Sequence, residues 1–140
     1  MIDDQTRSDL ITAALEVRPN AYAPYSKFKV GVALLGSDNK IYRGVNVENA
    51  IYRVTHGEQA AIVQAVLNSV RTFKAIAVAV DAAKPAWPCG QCRQDLAEFC
   101  DGDFEIIAVN EHGEVQQKTL DELLPERFGP KDLGIDPTDD

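Results

Sequence analysis

Residues 5–18 set Leu10, Ala13, Ala14 and Val17 on one stripe at helical spacing, and Pro19 stops that run. From residue 28 the period changes. Phe28, Val30, Val32 and Leu34 alternate with Lys29, Gly31 and Ala33, which predicts a strand. Ser37-Asp38-Asn39 turns the chain into a second strand over 41–47, so a hairpin is expected. Residues 56–68, rich in Ala, Ile and Val, predict a helix. The run AIAVAV over 75–80 is apolar without interruption, the mark of a strand covered on both faces. A further helix is expected to open near Pro88, because proline suits a first helical turn, and to close about Cys100. A strand over 104–109, a turn at Asn110-Glu111-His112-Gly113, a short strand over 114–117 and a short helix over 119–124 follow. Beyond Phe128 the chain is rich in Gly, Pro and acidic residues, and a mobile tail is expected from about residue 130. The order predicts one domain over 1–140, with helices on both faces of a mixed sheet.

Composition narrows the partners. With 45% hydrophobic and 26% charged positions, 140 residues suffice for one buried core. A net charge of −8, from 22 acidic and 14 basic residues, opposes a nucleic-acid partner, which needs a clustered basic face. Lys and Arg are scattered, so a small neutral substrate is the easier reading. No apolar run reaches the roughly 18 residues of a membrane span, and the acidic opening MIDDQTRSDL does not read as a secretory signal. A cytoplasmic protein that binds neither membrane nor nucleic acid is therefore expected. The odd set Cys89, Cys92 and Cys100 points to metal or thiol chemistry rather than a disulfide framework.

Two segments carry chemistry: Thr55-His56-Gly57-Glu58 and Pro88-Cys89-Gly90-Gln91-Cys92. Each sits where a helix is expected to begin, and Cys89 and Cys92, three apart, share a helical face. Helix N-termini favour thiolate over thiol, which suits metal ligation. His56, Cys89 and Cys92 would give Zn²⁺ three protein ligands and leave the fourth position to water, the catalytic arrangement. Water on zinc ionises near pH 7 rather than about 16. Glu58, two residues beyond His56, is placed to take its proton and pass it on without being a ligand. Each element also has a plainer reading. Thr55-x-x-Glu58 fits a capping box in which Glu58 only satisfies a backbone donor. Trp87-Pro88-Cys89-Gly90-Gln91-Cys92 faintly resembles a thioredoxin dithiol. A zinc-stabilised binding module would hold metal without needing Glu58.

H-x-E upstream of P-C-x-x-C is the signature of zinc deaminases, and the chain resembles the cytidine deaminase family over most of its length. Tyr25-Ser26-Lys27-Phe28-Lys29-Val30-Gly31-Val32-Ala33 is similar to the family's Y-S-x-F-x-V-G-A-A strand. Asn46-Val47-Glu48-Asn49-Ala50 matches N-x-E-N-A, Cys89-Gly90-Gln91-Cys92-Arg93-Gln94 matches C-G-x-C-R-Q, and Leu123-Leu124-Pro125 with Phe128 matches the family's ending. The resemblance implies an α/β fold, a three-layer α/β/α sandwich around a mixed sheet of about five strands, with one Zn²⁺ per chain. It implies that Asn46 and Glu48 hold the ribose hydroxyls, that Phe28 packs on the pyrimidine and that the Gly57 backbone fixes the base. It further implies a homotetramer in which Phe128 closes over a neighbour's nucleoside, and conversion of cytidine or deoxycytidine to the uridine. A blasticidin-type antibiotic deaminase shares the zinc chemistry, but a diol-binding pair favours an ordinary nucleoside. Cys100 matches no ligand position and reads as a buried small residue, while His112 in its turn reads as exposed.

The departures from the family pattern are informative. Small members carry a third cysteine where this chain has His56, and an arginine where it has Gln59. One imidazole and two thiolates cancel the charge of Zn²⁺, so nothing is left for an arginine to neutralise. Gly57 replaces the usual alanine and Trp87 a small residue. Extra room beside the base, with an indole opposite, predicts better tolerance of N4-substituted cytidines than in an ordinary relative.

Overall fold

The computed structural model describes residues 1–139; the expected mobile tail reaches Asp140, which lies outside the described residues. Helix α1 (Asp4–Val17) is capped by the Asp3 carboxylate, which accepts from the Thr6 N–H at 2.8 Å. Its buried stripe is Leu10, Ala14 and Val17. Pro19 then converts the chain to a short 3-10 turn (Arg18–Asn20). The strands are β1 (Val30–Gly36), β2 (Ile41–Val45), β3 (Val47–Glu48), β4 (Val54–Thr55), β5 (Phe73–Val80), β6 (Glu105–Asn110) and β7 (Val115–Thr119). Between them lie α2 (Gly57–Leu67), α3 (Gly90–Phe99) and, after β7, α4 (Leu120–Leu123).

Among the described residues the main sheet has five strands in the order β2-β1-β5-β6-β7. Only β5 and β6 run parallel; the other neighbours are antiparallel. The AIAVAV run explains the layers. Ala75, Ala77 and Ala79 face α1 with Leu10 and Ala14, and their small size lets that helix lie close. Ile76 and Val78 face the other way, with Ala61, Ile62 and Ala65 of α2 and Leu96 of α3. Each fully buried Ile or Leu there contributes about 1.5–3 kcal/mol of hydrophobic stabilisation. The mixed-sheet α/β/α sandwich expected from the sequence is the fold observed.

The same connectivity places the site. α2 runs into β5 through a short loop, and α3 leaves β5 to reach parallel β6. Both helix N-termini therefore sit at the C-terminal end of β5, the edge where open α/β sheets bind ligands. Gly44 brings α2 onto β2: a Cβ at residue 44 would stand 2.1 Å from the Gly57 carbonyl oxygen and 2.7 Å from the Ala61 nitrogen. The approach is backbone on backbone, and a glycine is what admits it.

Three details differ from the sequence reading. Phe28 lies outside β1, because Lys27 adopts a left-handed backbone (φ 60°) and the Asn46 amide grips the chain on both sides of Lys29. β2 ends at Val45, and the segment expected to continue it pairs instead as the β3–β4 hairpin. α3 starts at Gly90 with Cys89 as N-cap, so Pro88 lies before the cap rather than in the first turn. Past residue 128 the chain forms a 3-10 turn (Pro130–Leu133), with the Gly129 N–H on Asp132 at 2.8 Å.

Candidate active site

His56 is the N-cap of α2 (φ −74°, ψ 152°) and Cys89 the N-cap of α3 (φ −65°, ψ 169°). Each sits in extended backbone at the electropositive end of its helix. Cys92 is the third residue of α3 and is fully buried, while Cys89 is exposed. His56 Nδ1 lies 3.6 Å from Cys89 Sγ, and one donor atom from each of His56, Cys89 and Cys92 lies within 4.8 Å of the others. A tetrahedral ion with Zn–S of about 2.3 Å and Zn–N of about 2.0 Å holds S and N donors roughly 3.5 Å apart. The spacing and the nitrogen–sulfur donor set fit zinc, and three donors leave one position open.

Glu58, the second residue of α2, is 4% exposed. Burial raises its pKa above the ordinary 4.5, against the opposing pull of its own N–H, His56 and the Cys92 thiol, with Asp95 adding to the rise. The Cys92 thiol is pushed well above the usual thiol range by burial, then by Glu58 and by Cys89. Burial and the neighbouring Glu58 and Cys89 thus favour a neutral Cys92 thiol, and a cation among the three donors would reverse that preference. The capping-box reading of Glu58 does not hold. Gln59 does that work, accepting the His56 N–H on Oε1 at 2.9 Å, so the Glu58 carboxyl is not spent on the helix end.

The residues assigned to the sugar are brought to the same edge. Pairing of Val47 with Thr55 and Glu48 with Val54 lays the 46–48 segment beside the residue that precedes His56. Asn46 is 7% and Glu48 9% exposed. Asn46 Oδ1 accepts the Val30 N–H at 2.9 Å and its Nδ2 donates to the Phe28 carbonyl at 2.8 Å. Glu48 Oε1 accepts the Tyr25 and Ser26 N–H groups at 3.0 Å each, and Oε2 accepts the Ser26 hydroxyl. These bonds, the Ser26 hydroxyl first, hold the Glu48 carboxyl below its ordinary 4.5. An amide keeps a second N–H and a carboxylate oxygen a second lone pair, so both can still meet a diol. Phe28 is left half-exposed, 42%, on the loop that Asn46 and Glu48 hold. Phe128 stands apart: its carbonyl accepts from Gln94 Nε2 at 2.8 Å and its ring is 60% exposed.

Residues 4–108 match the family described as the cytidine and deoxycytidylate deaminase zinc-binding region. The chain is 46% identical over 125 residues to a cytidine deaminase of Sporosarcina psychrophila, across 89% of this chain and 92% of that one. The chain belongs to the cytidine and deoxycytidylate deaminase family. It is also 43% identical to a cytidine deaminase of Halalkalibacterium halodurans, across 91% of this chain and 97% of that one. A crystal structure of cytidine deaminase from Burkholderia pseudomallei superposes with a TM-score of 0.83 at 41% identity, covering 86% of this chain and 98% of the other. The family is zinc-binding, and His56, Cys89 and Cys92 form a donor group that fits that metal. The thioredoxin-like reading falls with the family match and with His56, which joins the two thiols in one three-donor group rather than leaving a dithiol alone.

Within this deaminase framework, the departures at Gly57 and Trp87 take on a different meaning. A methyl at residue 57 would meet Val32 Cγ2 at 2.9 Å and the Val45 backbone at 3.5 Å. The expected extra room is absent there, because valine at 32, where the family pattern has alanine, already fills it. Trp87 packs against the core side of the sheet, with Lys118 Nζ 5.9 Å from its ring centre. The small-for-large exchange at 57 and the large-for-small exchange at 32 were both readable in the motifs, but their contact was not. Sequence reasoning also passed over Arg93, whose Nε donates to the Pro88 carbonyl at 2.7 Å and Nη1 to the Leu123 carbonyl at 2.8 Å. Its place next to Cys92 was the available signal. Cys100 is buried and His112 exposed, as expected.

Two outcomes follow from these contacts. Gly57→Ala is expected to cost about 1–3 kcal/mol by overpacking. Combined with Val32→Ala, the total loss in urea unfolding should be smaller than the sum of the singles by about 0.5–3 kcal/mol; additive losses would show that the two side chains do not meet. Glu48, whose folded pKa is depressed, contributes stability that is present above its ordinary 4.5 and lost as pH falls through the folded value. Urea midpoints followed between roughly pH 6 and 3 should therefore fall less steeply in Glu48→Gln than in the parent.

Proposed function

We propose that this protein hydrolyses the exocyclic amine of cytidine and 2′-deoxycytidine, giving the uridine and ammonia, with His56, Cys89 and Cys92 holding zinc and Glu58 carrying protons. The observation that carries this reading is a buried carboxyl with a raised pKa beside the three donors. When bound, zinc supplies the Lewis acidity that makes water a nucleophile at neutral pH. Glu58 takes a proton from the attacking water and delivers it to the ring nitrogen as C4 gains its oxygen. It then carries the second proton to the departing amine, so water and cytidine leave as uridine and ammonia. A carboxyl whose pKa burial raises suits both acceptance and return of the proton.

The rest of the pocket supports a nucleoside. Asn46 and Glu48 offer one amide N–H and carboxylate lone pairs to the ribose diol, and half-exposed Phe28 offers a face for the pyrimidine. The Gly57 backbone, pinned between Val32 and Val45, is the rigid edge against which the base is fixed. The methyl-sized space at 57 is filled, so no preference for N4-substituted cytidines is proposed.

Exposed apolar side chains cluster on and beside the β3–β4 hairpin: Tyr22, Tyr25, Val47, Ile51, Tyr52 and Val54. A surface of that kind supports a homotetramer, with the exposed Phe128 ring closing over a neighbour's site. Three free thiols, two of them metal ligands, suit a reducing cytoplasm.

Zinc-loaded protein is expected to form uridine from cytidine, followed by loss of the cytidine absorbance. Glu58→Gln should keep one zinc per chain and lose turnover by about 10²–10⁴-fold or more. Turnover retained in that variant would put the proton carrier elsewhere, and no turnover in zinc-loaded parent would sink the activity. Sedimentation of the parent should give four chains per particle, and a monomer active at full rate would dismiss the shared site.

A further inference from the structure

The side chain of Gln59 bridges the two ligand-bearing helices. Its Oε1 accepts the His56 N–H at 2.9 Å and its Nε2 donates to Asp95 Oδ2 at 3.1 Å, both bonds partly buried. His56 is a ligand, and Asp95 lies on α3 three residues beyond the ligand Cys92. One amide thus ties the backbone of the imidazole ligand to the helical turn that follows a thiolate ligand. An open groove of about 360 Å³ runs between α2 and α3, with Gln59 and Asp95 in its wall.

We propose that Gln59 is a positioning residue for the metal: its amide clamps the His56 and Cys92 segments at the spacing that zinc requires. The chemistry of the side chain makes the assignment specific. The bridge needs an acceptor and a donor on one planar group, which glutamine has. Glutamate would accept from His56 but set a like charge against Asp95. Arginine would donate to Asp95 but can accept nothing. The amide orientation is fixed as well, since the flipped form would face N–H with NH₂ and oxygen with carboxylate. Being neutral, Gln59 leaves the charge balance of one imidazole and two thiolates undisturbed. Outer partners of this kind orient ligands, and their loss commonly lowers metal affinity by 10–100-fold.

The clamp rests on the zinc assignment, and the experiment separates the two. Zinc affinity of the full chain is measured by competition with a chromophoric chelator, and the visible spectrum of the Co²⁺-loaded protein reports ligand geometry. Gln59→Ala and Asp95→Ala are each expected to weaken zinc by about 10–100-fold and to shift the thiolate–cobalt bands. Asp95→Asn keeps an acceptor oxygen and should stay within about threefold of the parent. The double variant Gln59→Ala/Asp95→Ala should lose no more than about threefold beyond either single, because both remove the same bond. Zinc affinity of Gln59→Ala within about twofold of the parent would overturn the clamp, as would losses that multiply in the double variant. Should Gln59→Ala fail to fold, the contrast between Asp95→Asn and Asp95→Ala decides alone: equal losses overturn the proposal. A parent chain that takes up no zinc would overturn the metal assignment instead.

Discussion

The structure turns on the meeting of two helix N-termini at the C-terminal end of β5. Two N-cap residues, His56 and Cys89, and two residues of the first turns, Glu58 and Cys92, are forced into one small volume there. Without a cation, burial raises the pKa of both the Glu58 carboxyl and the Cys92 thiol, and Glu58 and Cys89 push the thiol up further. A divalent ion removes the opposition for the thiols at once, and its charge is matched by two thiolates. The Glu58 carboxyl lies outside the three-donor group, which leaves it uncommitted to the ion. The arrangement that makes the cluster costly when empty is the same one that separates ligand from proton carrier.

That convergence depends on how closely the backbone layers approach. α2 reaches the sheet because Gly44 presents no side chain to the Gly57 carbonyl, and Gly57 presents none to Val32. The first turn of α2 is thereby held from below by β1 and β2 and from the side by the hairpin pairing of Glu48 with Val54. His56 and Glu58 lie on either side of this pinned glycine. Their positions are consequences of backbone contact rather than of their own bonding, which leaves the imidazole and carboxyl free for metal and proton.

Much of this was legible in the chain. The four long apolar patterns, one at helical spacing, one alternating and two continuous or Ala-rich, correspond to α1, β1, β5 and α2. The H-x-E and P-C-x-x-C segments sit at helix starts as their spacing required. What the periodicity could not carry was local and polar. Nothing in the alternation of Phe28 with Val30 reveals that the Asn46 amide takes over the hydrogen bonds of that stretch and turns Phe28 out of the sheet. Likewise Val47 and Glu48 continue a strand pattern, yet a break at Asn46 sends them to pair with Val54 and Thr55. The Gly57 exchange misled in the opposite sense. A missing methyl reads as space when taken alone, whereas here its complement sits 25 residues away in sequence, at Val32.

In the proposed function, Asn46 and Glu48 would tie substrate recognition to fold order. Each side chain already holds the 25–30 loop by two or three bonds, and Phe28 owes its half-exposed position to them. A diol bound there would meet an amide and a carboxylate whose geometry is already fixed, so little ordering cost would fall on the encounter. The depressed pKa of Glu48 has the same origin: N–H and hydroxyl donors keep it ionised and therefore an acceptor. Glu58, one hairpin away, is pushed the opposite way by deep burial, which outweighs its own N–H and the Cys92 thiol. Two glutamates ten residues apart are thus given opposite protonation preferences by their surroundings alone, one suited to holding hydroxyls and the other to moving protons.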